Sequence, residues 1–143
     1  DVVAREHLWR ERMNYGHGTG HGVGFFLNVH EGPQRISQRP SDVALAPGMI
    51  VSNEPGVYRA DQYGIRIENL VAVVEDEPIG FGSFHRFDTL TLCPIDRSLI
   101  DTDLLTEAER AWVDGYHRRV RDQLLGHLDG ACAAWLEQAC VPL

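Results

Sequence analysis

Near the start of the chain, nine consecutive residues place glycine at every second position. The stretch is GHGTGHGVG, residues 16–24, and two of its gaps hold His17 and His21. If this stretch is extended, residues separated by an even number point to the same face, so the two imidazoles share one face. Glycine keeps that face open and lets a ligand approach the backbone closely. The pattern predicts a ligand-binding strand or, as the alternative, a flexible glycine turn whose histidines bind nothing.

Several familiar motifs are excluded by residue type and spacing. The stretch does not contain the G-x-G-x-x-G spacing of a dinucleotide-binding turn, and His30-Glu31 does not begin an H-E-x-x-H zinc motif. All 13 basic residues are arginine, so the chain has no lysine. A Walker phosphate loop and a lysine Schiff base are therefore excluded.

Composition limits the class of protein and its partners. The 143 residues are 43% hydrophobic and carry a formal net charge of -8, which suits one compact domain or a piece of one. No basic run favours nucleic acid or an anionic membrane, so neither is an expected partner. The three scattered cysteines and the lack of a leader or apolar span favour a cytoplasmic protein. Because the chain begins with Asp1 in a helix-like segment, we expect a fragment.

Hydrophobic periodicity predicts a helix followed by strands. The helix is expected over residues 1–13, with Val2 or Val3, Leu8 and Trp9 on its apolar stripe. Between residues 19 and 94, turns separate strand-like runs that suggest a sheet packed on one side. These runs are FFLNVH, MIVSNEP and IRIENLVAVVE.

The last third of the chain is predicted to be helical. Thr106 and Glu109 have the spacing of a capping box, and apolar residues keep helical spacing after it. A second short helix is expected over residues 131–138. We expect Trp112, Tyr116 and Trp135 to pack inside the protein.

Two carboxylates complete a candidate metal site. Glu54 follows the strand-like run MIVSN, where a turn would direct its side chain toward a cleft, and Glu68 shares a strand face with Arg66. Any single pair such as Arg66 and Glu68 is more often a plain ion pair. Histidine with two glutamates on neighbouring strands would instead form a mixed nitrogen and oxygen ligand set. Such a set suits manganese, zinc or cobalt.

These motifs, taken in order, resemble those of a known enzyme family. The runs GHGTGHGVGFFLNVHEGP, PGMIVSNEPGVY and YGIRIENLVAVVE are similar to consecutive motifs of the pita-bread metallopeptidases, and most of all to those of the cytosolic Xaa-Pro aminopeptidases. The tail from FDTLTLCPIDRS onward resembles the C-terminal segment of the long, three-domain form of these enzymes. The resemblance covers essentially the whole chain.

The resemblance implies an α+β fold. It is the C-terminal half of a pita-bread fold, with a curved antiparallel sheet, flanking helices and a helical C-terminal tail. Residues 1–94 would be the second half of the metallopeptidase catalytic domain, and residues 95–143 a helical extension of the same domain.

The same resemblance implies a role for each candidate site residue. His21, Glu54 and Glu68 would be ligands of two divalent ions, with manganese expected and zinc or cobalt as alternatives. Glu54 would also accept the proton of the attacking water, and Arg66 would orient the carboxylates. His17 and His30 would line the pocket for peptides with proline at the second position.

Two further family ligands, both aspartates, are expected upstream of this chain. The chain is therefore expected to be a fragment that is inactive alone, and the family implies a homodimer. A non-catalytic pita-bread binding module and a hydrolase like prolidase or creatinase are the alternatives. Retention of the clustered histidines and glutamates argues against the binding module, and the long-form tail and the NVHEGP context favour the aminopeptidase through resemblance.

Overall fold

The chain divides into two compact units, residues 1–91 and 92–143. The computed structural model describes residues 1–26, 28–78 and 80–143. In this part of the chain, no helix is both long and apolar enough to cross a membrane. The elements of the first unit, in chain order, are α1 Val2–Arg10, β1 Gly20–His21, β2 Arg35–Ile36, β3 Ile50–Asn53, β4 Gly56–Arg59, β5 Tyr63–Arg66, β6 Asn69–Glu75 and β7 His85–Thr89.

The strands of the first unit form three small antiparallel sheets. Their orders are β1-β2, β3-β6-β7 and β4-β5. In the three-stranded sheet, Val51 of β3 is opposite Val71 of β6, and both are buried together with Val73. Buried and partly exposed residues alternate along this stretch of β6, as expected for a sheet packed on one side.

The run IRIENLVAVVE, predicted as one strand, is divided between two sheets. Gly56 pairs with Arg66 in the β4-β5 hairpin, whereas Asn53 pairs with Asn69 in the larger sheet. Glu54 and Pro55 separate β3 from β4, and proline has no N–H to donate to a ladder. The returning chain must therefore also leave one sheet and join another, which it does at residues 67–68.

The prediction of a strand over FFLNVH is wrong for the residues that the structure describes there. Phe25 and Phe26 are exposed and lie in a bend, while Leu27 lies outside the described residues. The Gly24 amide donates to the Asn28 carbonyl, which closes a short loop. This local bond replaces strand pairing.

The first helix buries a charge in place of the predicted apolar stripe. It ends at Arg10, Val2 and Val3 are exposed, and Arg5 is 0% exposed. The Arg5 guanidinium donates to the Asp1 carboxylate at 2.6 Å, to Asn14 Oδ1 at 2.8 Å and to the carbonyl oxygens of residues 15 and 17. These acceptors offset the cost of burying a cation, so the inner face of the helix is polar.

Two glycines of the opening stretch are required by neighbouring backbone. Gly20 lies so close to β3 that a Cβ there would overlap the carbonyl oxygen of Ser52, and a Cβ at Gly22 would overlap that of Glu31. The Glu54 amide also donates to the Thr19 carbonyl at 2.7 Å. The group that approaches these glycines closely is therefore the chain itself, where the sequence had suggested a ligand.

The second unit contains two helices joined by a short connection. They are α2 Glu107–Leu124 and α3 Gly130–Ala139, with 3₁₀ turns at Arg97–Leu99, Thr102–Leu104 and Leu125–His127. The predicted capping box of Thr106 and Glu109 is confirmed. The core of this unit comprises Tyr116, Val120, Leu136 and Cys140.

The prediction that three aromatic residues pack inside is confirmed only for Tyr116. Trp112 is 51% exposed and Trp135 is 62% exposed. The Tyr116 hydroxyl donates to the Cys93 carbonyl at 2.8 Å, which places this ring at the core. Trp112 stacks on the outer side of the same ring, with centroids 5.4 Å apart.

His117 is buried beside Tyr116 and holds the segment that precedes the helices. Its Nε2 accepts from the Ile95 amide at 3.0 Å, so the neutral ring carries its proton on Nδ1. Nδ1 has no hydrogen-bond partner in the part of the chain that the structure describes. Burial lowers the pKa of His117, as does Arg97, while Asp114 acts in the opposite direction. The folded unit therefore favours the neutral imidazole.

Replacing Gly20 with alanine should lower the free energy of unfolding by more than about 2 kcal/mol, because the new methyl group would meet a backbone oxygen that cannot move aside. Gly16→Ala is the matched control, since a Cβ at Gly16 meets no atom within 4 Å. Urea unfolding of both variants measures the difference. Equal stability of the two variants would contradict the close approach of β1 to β3.

Lowering the pH should destabilise the second unit through His117. The folded state binds fewer protons at this residue than the unfolded state does, so stability is present above the unfolded pKa of about 6.5 and falls as the pH drops through it. His117→Gln keeps an acceptor for the Ile95 amide but cannot titrate. Urea unfolding from pH 8 to pH 5 should show a steeper loss for the wild type than for this variant, and parallel losses would exclude the histidine as the cause.

Candidate functional site

A cleft of about 360 Å³ in the first unit gathers most of the predicted site residues. It lies where β1, the end of β3 and the end of β5 meet. The residues that line it are His17, Gly18, Gly20, His21, His30, Glu54 and Arg66. Glu68 is the one predicted site residue outside this lining.

His21 and Glu54 face each other in the cleft. The Nε2 atom of His21 lies 3.1 Å from Oε1 of Glu54. The other ring nitrogen, Nδ1, is 2.9 Å from the Gly22 carbonyl, which can only accept, so Nδ1 carries a proton. In a neutral imidazole, Nε2 then presents a lone pair to the carboxylate.

This donor pair fits a divalent cation. Two lone pairs at 3.1 Å repel each other unless a proton or a cation lies between them. Ligand atoms at about 2.1 Å from one ion in neighbouring coordination positions are themselves about 3 Å apart. Imidazole nitrogen and carboxylate oxygen suit zinc, manganese and related ions, and a backbone carbonyl behind the imidazole is typical of metal-binding histidines.

Arg66 binds the other oxygen of Glu54. Its NH1 group donates to Glu54 Oε2 at 2.7 Å and lies 3.9 Å from Glu68 Oε2. Glu54 is buried, whereas the side chain of Glu68 is 45% exposed. The guanidinium thus stands next to both carboxylates. Among residues 1–26, 28–78 and 80–143, no group of three or more His, Cys, Asp or Glu side chains is placed to hold a metal. The assignment of Glu68 as a ligand therefore stays a prediction.

Tyr58 belongs to the site and was not identified from the sequence. Arg66 Nε donates to the Tyr58 oxygen at 2.7 Å, and this hydroxyl lies 2.9 Å from Nε2 of His17. Nδ1 of His17 must carry a proton because it is 2.7 Å from the Gly18 carbonyl. With the neutral imidazole, Tyr58 therefore accepts from Arg66 and donates to His17. The hydrogen bond to Tyr58 also raises the pKa of Arg66.

The sequence feature that marks Tyr58 is Gly56, but its meaning can be recognised only in the structure. Gly56 lies two residues before Tyr58, on the same face of β4, and a Cβ at this position would overlap the tyrosine hydroxyl. The glycine therefore leaves space for the ring to turn back toward the cleft. From the sequence alone, Gly56 is indistinguishable from an ordinary turn glycine after proline.

The two remaining histidines lie at different depths. The His30 ring is exposed and its centroid is 4.2 Å from that of His21. His17 is partly buried and both of its ring nitrogens have hydrogen-bond partners. The cleft thus presents one accessible imidazole beside the His21 and Glu54 pair, while the other is joined to Tyr58.

Two sequence profiles match the chain. The profile of metallopeptidase family M24 matches residues 1–75, and that of the C-terminal region of peptidase M24 matches residues 83–143.

Similar proteins come from fungi and a nematode. A probable Xaa-Pro aminopeptidase P of Coprinopsis cinerea is 49% identical over 100% of this chain and 24% of its own length. One from Fusarium vanettenii is 48% identical over 96% of this chain and 23% of its own length. The crystal structure of X-prolyl aminopeptidase from Caenorhabditis elegans, described as a cytosolic enzyme with a di-nuclear active site, superposes with a TM-score of 0.92 at 41% identity. It is matched over 100% of this chain and 24% of its own.

The chain thus spans about a quarter of the length of the proteins that it matches. The helices and antiparallel sheets, together with the nematode structure, confirm the predicted α+β pita-bread fold. On its sequence profiles and its fold, the chain belongs to metallopeptidase family M24.

Proposed function

We propose that this chain is the C-terminal part of the catalytic domain of a dinuclear-metal aminopeptidase that hydrolyses the N-terminal Xaa-Pro peptide bond. One observation carries the proposal: His21 Nε2 lies 3.1 Å from Glu54 Oε1 in a shared cleft. The names of the fungal relatives and the di-nuclear active site of the nematode enzyme support it. In this proposal, residues 1–94 are the second half of the catalytic domain and residues 95–143 its helical extension.

His21, Glu54 and Glu68 are the residues of this chain that would hold metal. When bound, two divalent ions would supply an activated water nucleophile near neutral pH and polarise the peptide carbonyl. Manganese is the proposed metal, with zinc or cobalt as alternatives, because the donors are imidazole nitrogen and carboxylate oxygen. The protonated Nδ1 of His21 supports this role, since its bond to the Gly22 carbonyl directs Nε2 into the cleft.

Glu54 is the proposed proton acceptor. Arg66 holds its Oε2 at 2.7 Å, so the carboxylate keeps one orientation while a proton is taken up and passed on. The acceptor of that proton is the proline nitrogen of the leaving group, which as a tertiary amide has no proton of its own. His30, exposed beside His21, and His17, on the same lining, would hold the substrate.

Tyr58 supports this arrangement through Arg66. The Arg66 side chain is 41% exposed, so packing alone does not determine where its guanidinium points. Bonds to Tyr58 from Nε and to Glu54 from NH1 engage two sides of the planar group. Tyr58 is therefore proposed as a residue that positions Arg66.

Assembly and location complete the proposal. The nematode relative is described as cytosolic, which supports a cytoplasmic location. A homodimer is implied by the resemblance of the motifs to the long-form enzymes, and peptides with proline at the second position are the proposed substrates.

Replacing Glu54 with glutamine in the full-length protein should lower kcat on an Xaa-Pro tripeptide by at least about 100-fold, because glutamine cannot accept a proton and is a poor metal ligand. Release of the first residue, followed by chromatography, measures the rate. Glu6→Gln, a change at an exposed residue of α1, is the matched control and should retain full activity.

Three outcomes would argue against the proposed reaction. Equal activity of the Glu54→Gln variant would remove Glu54 from the chemistry. Cleavage of dipeptides alone would indicate a prolidase, and peptide binding without hydrolysis would indicate a binding module. In the same assay, the isolated 143-residue chain should be inactive.

Changing Tyr58 to phenylalanine should lower kcat of the full-length protein by about 10-fold to 100-fold with little change in unfolding midpoint, because Arg66 loses a hydrogen bond that orients it while the half-exposed ring remains. Tyr63→Phe, on the neighbouring strand and 48% exposed, is the control. Steady-state kinetics and thermal unfolding give the two readouts. If both variants retain wild-type kcat, Tyr58 does not position Arg66.

A further inference from the structure

Ser52 lies where β1 and β3 are in close contact. It occupies β3 two residues before Glu54 and is 0% exposed. Its carbonyl oxygen is the atom that excludes a side chain at Gly20, so the backbones of the two strands are in contact there. A serine at this position has no access to water, and its hydroxyl must be satisfied by the protein.

The direction of each hydrogen bond at the Ser52 hydroxyl is determined. The His21 amide lies 3.0 Å from Oγ and can only donate, so Oγ accepts from it. The Ser52 hydroxyl then donates a hydrogen bond to Oε1 of Glu54, also at 3.0 Å, because an ionised carboxylate can only accept. The hydroxyl thus connects the backbone of His21 to the side chain of Glu54.

The consequence concerns the geometry between His21 and Glu54. The same Oε1 atom that accepts from Ser52 faces Nε2 of His21 at 3.1 Å, and Arg66 holds the other oxygen. The imidazole is in turn oriented by its bond to the Gly22 carbonyl. Ser52 therefore hydrogen-bonds both the segment carrying the imidazole and the carboxylate that faces it.

We propose that Ser52 is a positioning residue: its hydroxyl fixes the backbone of His21 relative to the carboxylate of Glu54, so that both meet a divalent cation without rearrangement. This inference rests on the proposed function, because that function supplies the cation. A buried serine that served only to fill space would have no such effect on binding.

The test compares two variants of the full-length protein that have the same shape. Ser52→Thr retains the hydroxyl and Ser52→Val replaces it with a methyl group, so any strain from the larger side chain is common to both. Calorimetric titration with Mn²⁺ measures affinity, thermal unfolding verifies that both variants fold, and amide hydrogen exchange reports on the His21 N–H.

The valine variant should bind Mn²⁺ about 10-fold to 100-fold more weakly than the threonine variant, with faster exchange of the His21 amide. Threonine should restore affinity to near that of the wild type. Equal affinities of the two folded variants would overturn the role of Ser52 and leave the proposed function intact. If the wild type itself fails to bind Mn²⁺, the proposed metal site fails, and the inference about Ser52 fails with it.

Discussion

The close approach of β1 to β3 is the constraint on which the site depends. Gly20 allows it, because any side chain there would overlap the Ser52 carbonyl oxygen. Once the strands are this close, the Glu54 amide reaches the Thr19 carbonyl and the His21 amide reaches the Ser52 hydroxyl. The imidazole and the carboxylate come from segments more than thirty residues apart in sequence, and backbone packing brings them together. Gly20, one of the alternating glycines, therefore serves the assembly of the cleft.

Each carboxylate oxygen of Glu54 has its own polar partners. Oε1 of Glu54 accepts a hydrogen bond from the Ser52 hydroxyl and faces the His21 imidazole, and Oε2 accepts from the Arg66 guanidinium. Arg66 is held by Tyr58, which in turn donates to His17. These hydrogen bonds join the side chains of the site, and the donor and acceptor of each bond are determined. Such a network keeps a buried carboxylate in one orientation.

Much of the fold could be predicted from local patterns, and the two predictions of helix faces that failed have a common cause. The capping box at Thr106 and the strand before Glu54 are local features, and both occur where expected. The sequence pattern of α1 indicated an apolar inner face, but four acceptors surround Arg5 and make that face polar. Trp112 has the spacing of a core residue, yet Tyr116 occupies the core and Trp112 covers it from outside. In both helices, hydrogen-bond partners that lie outside the helix decided which side faces inward, and hydrophobic periodicity does not identify such partners.

The sequence by itself determined the chemistry available and the family. Histidines at even spacing, a glutamate after a β-branched run and an arginine two residues before a second glutamate identify the donor types, and motif order identifies family M24. Only the tertiary structure decided which atoms meet. It shows His21 against Glu54, Arg66 between two carboxylates and Tyr58 beside the guanidinium. The reason is physical: residue identity determines what a group can donate or accept, but strand register and the division of one apolar run between two sheets determine its partner.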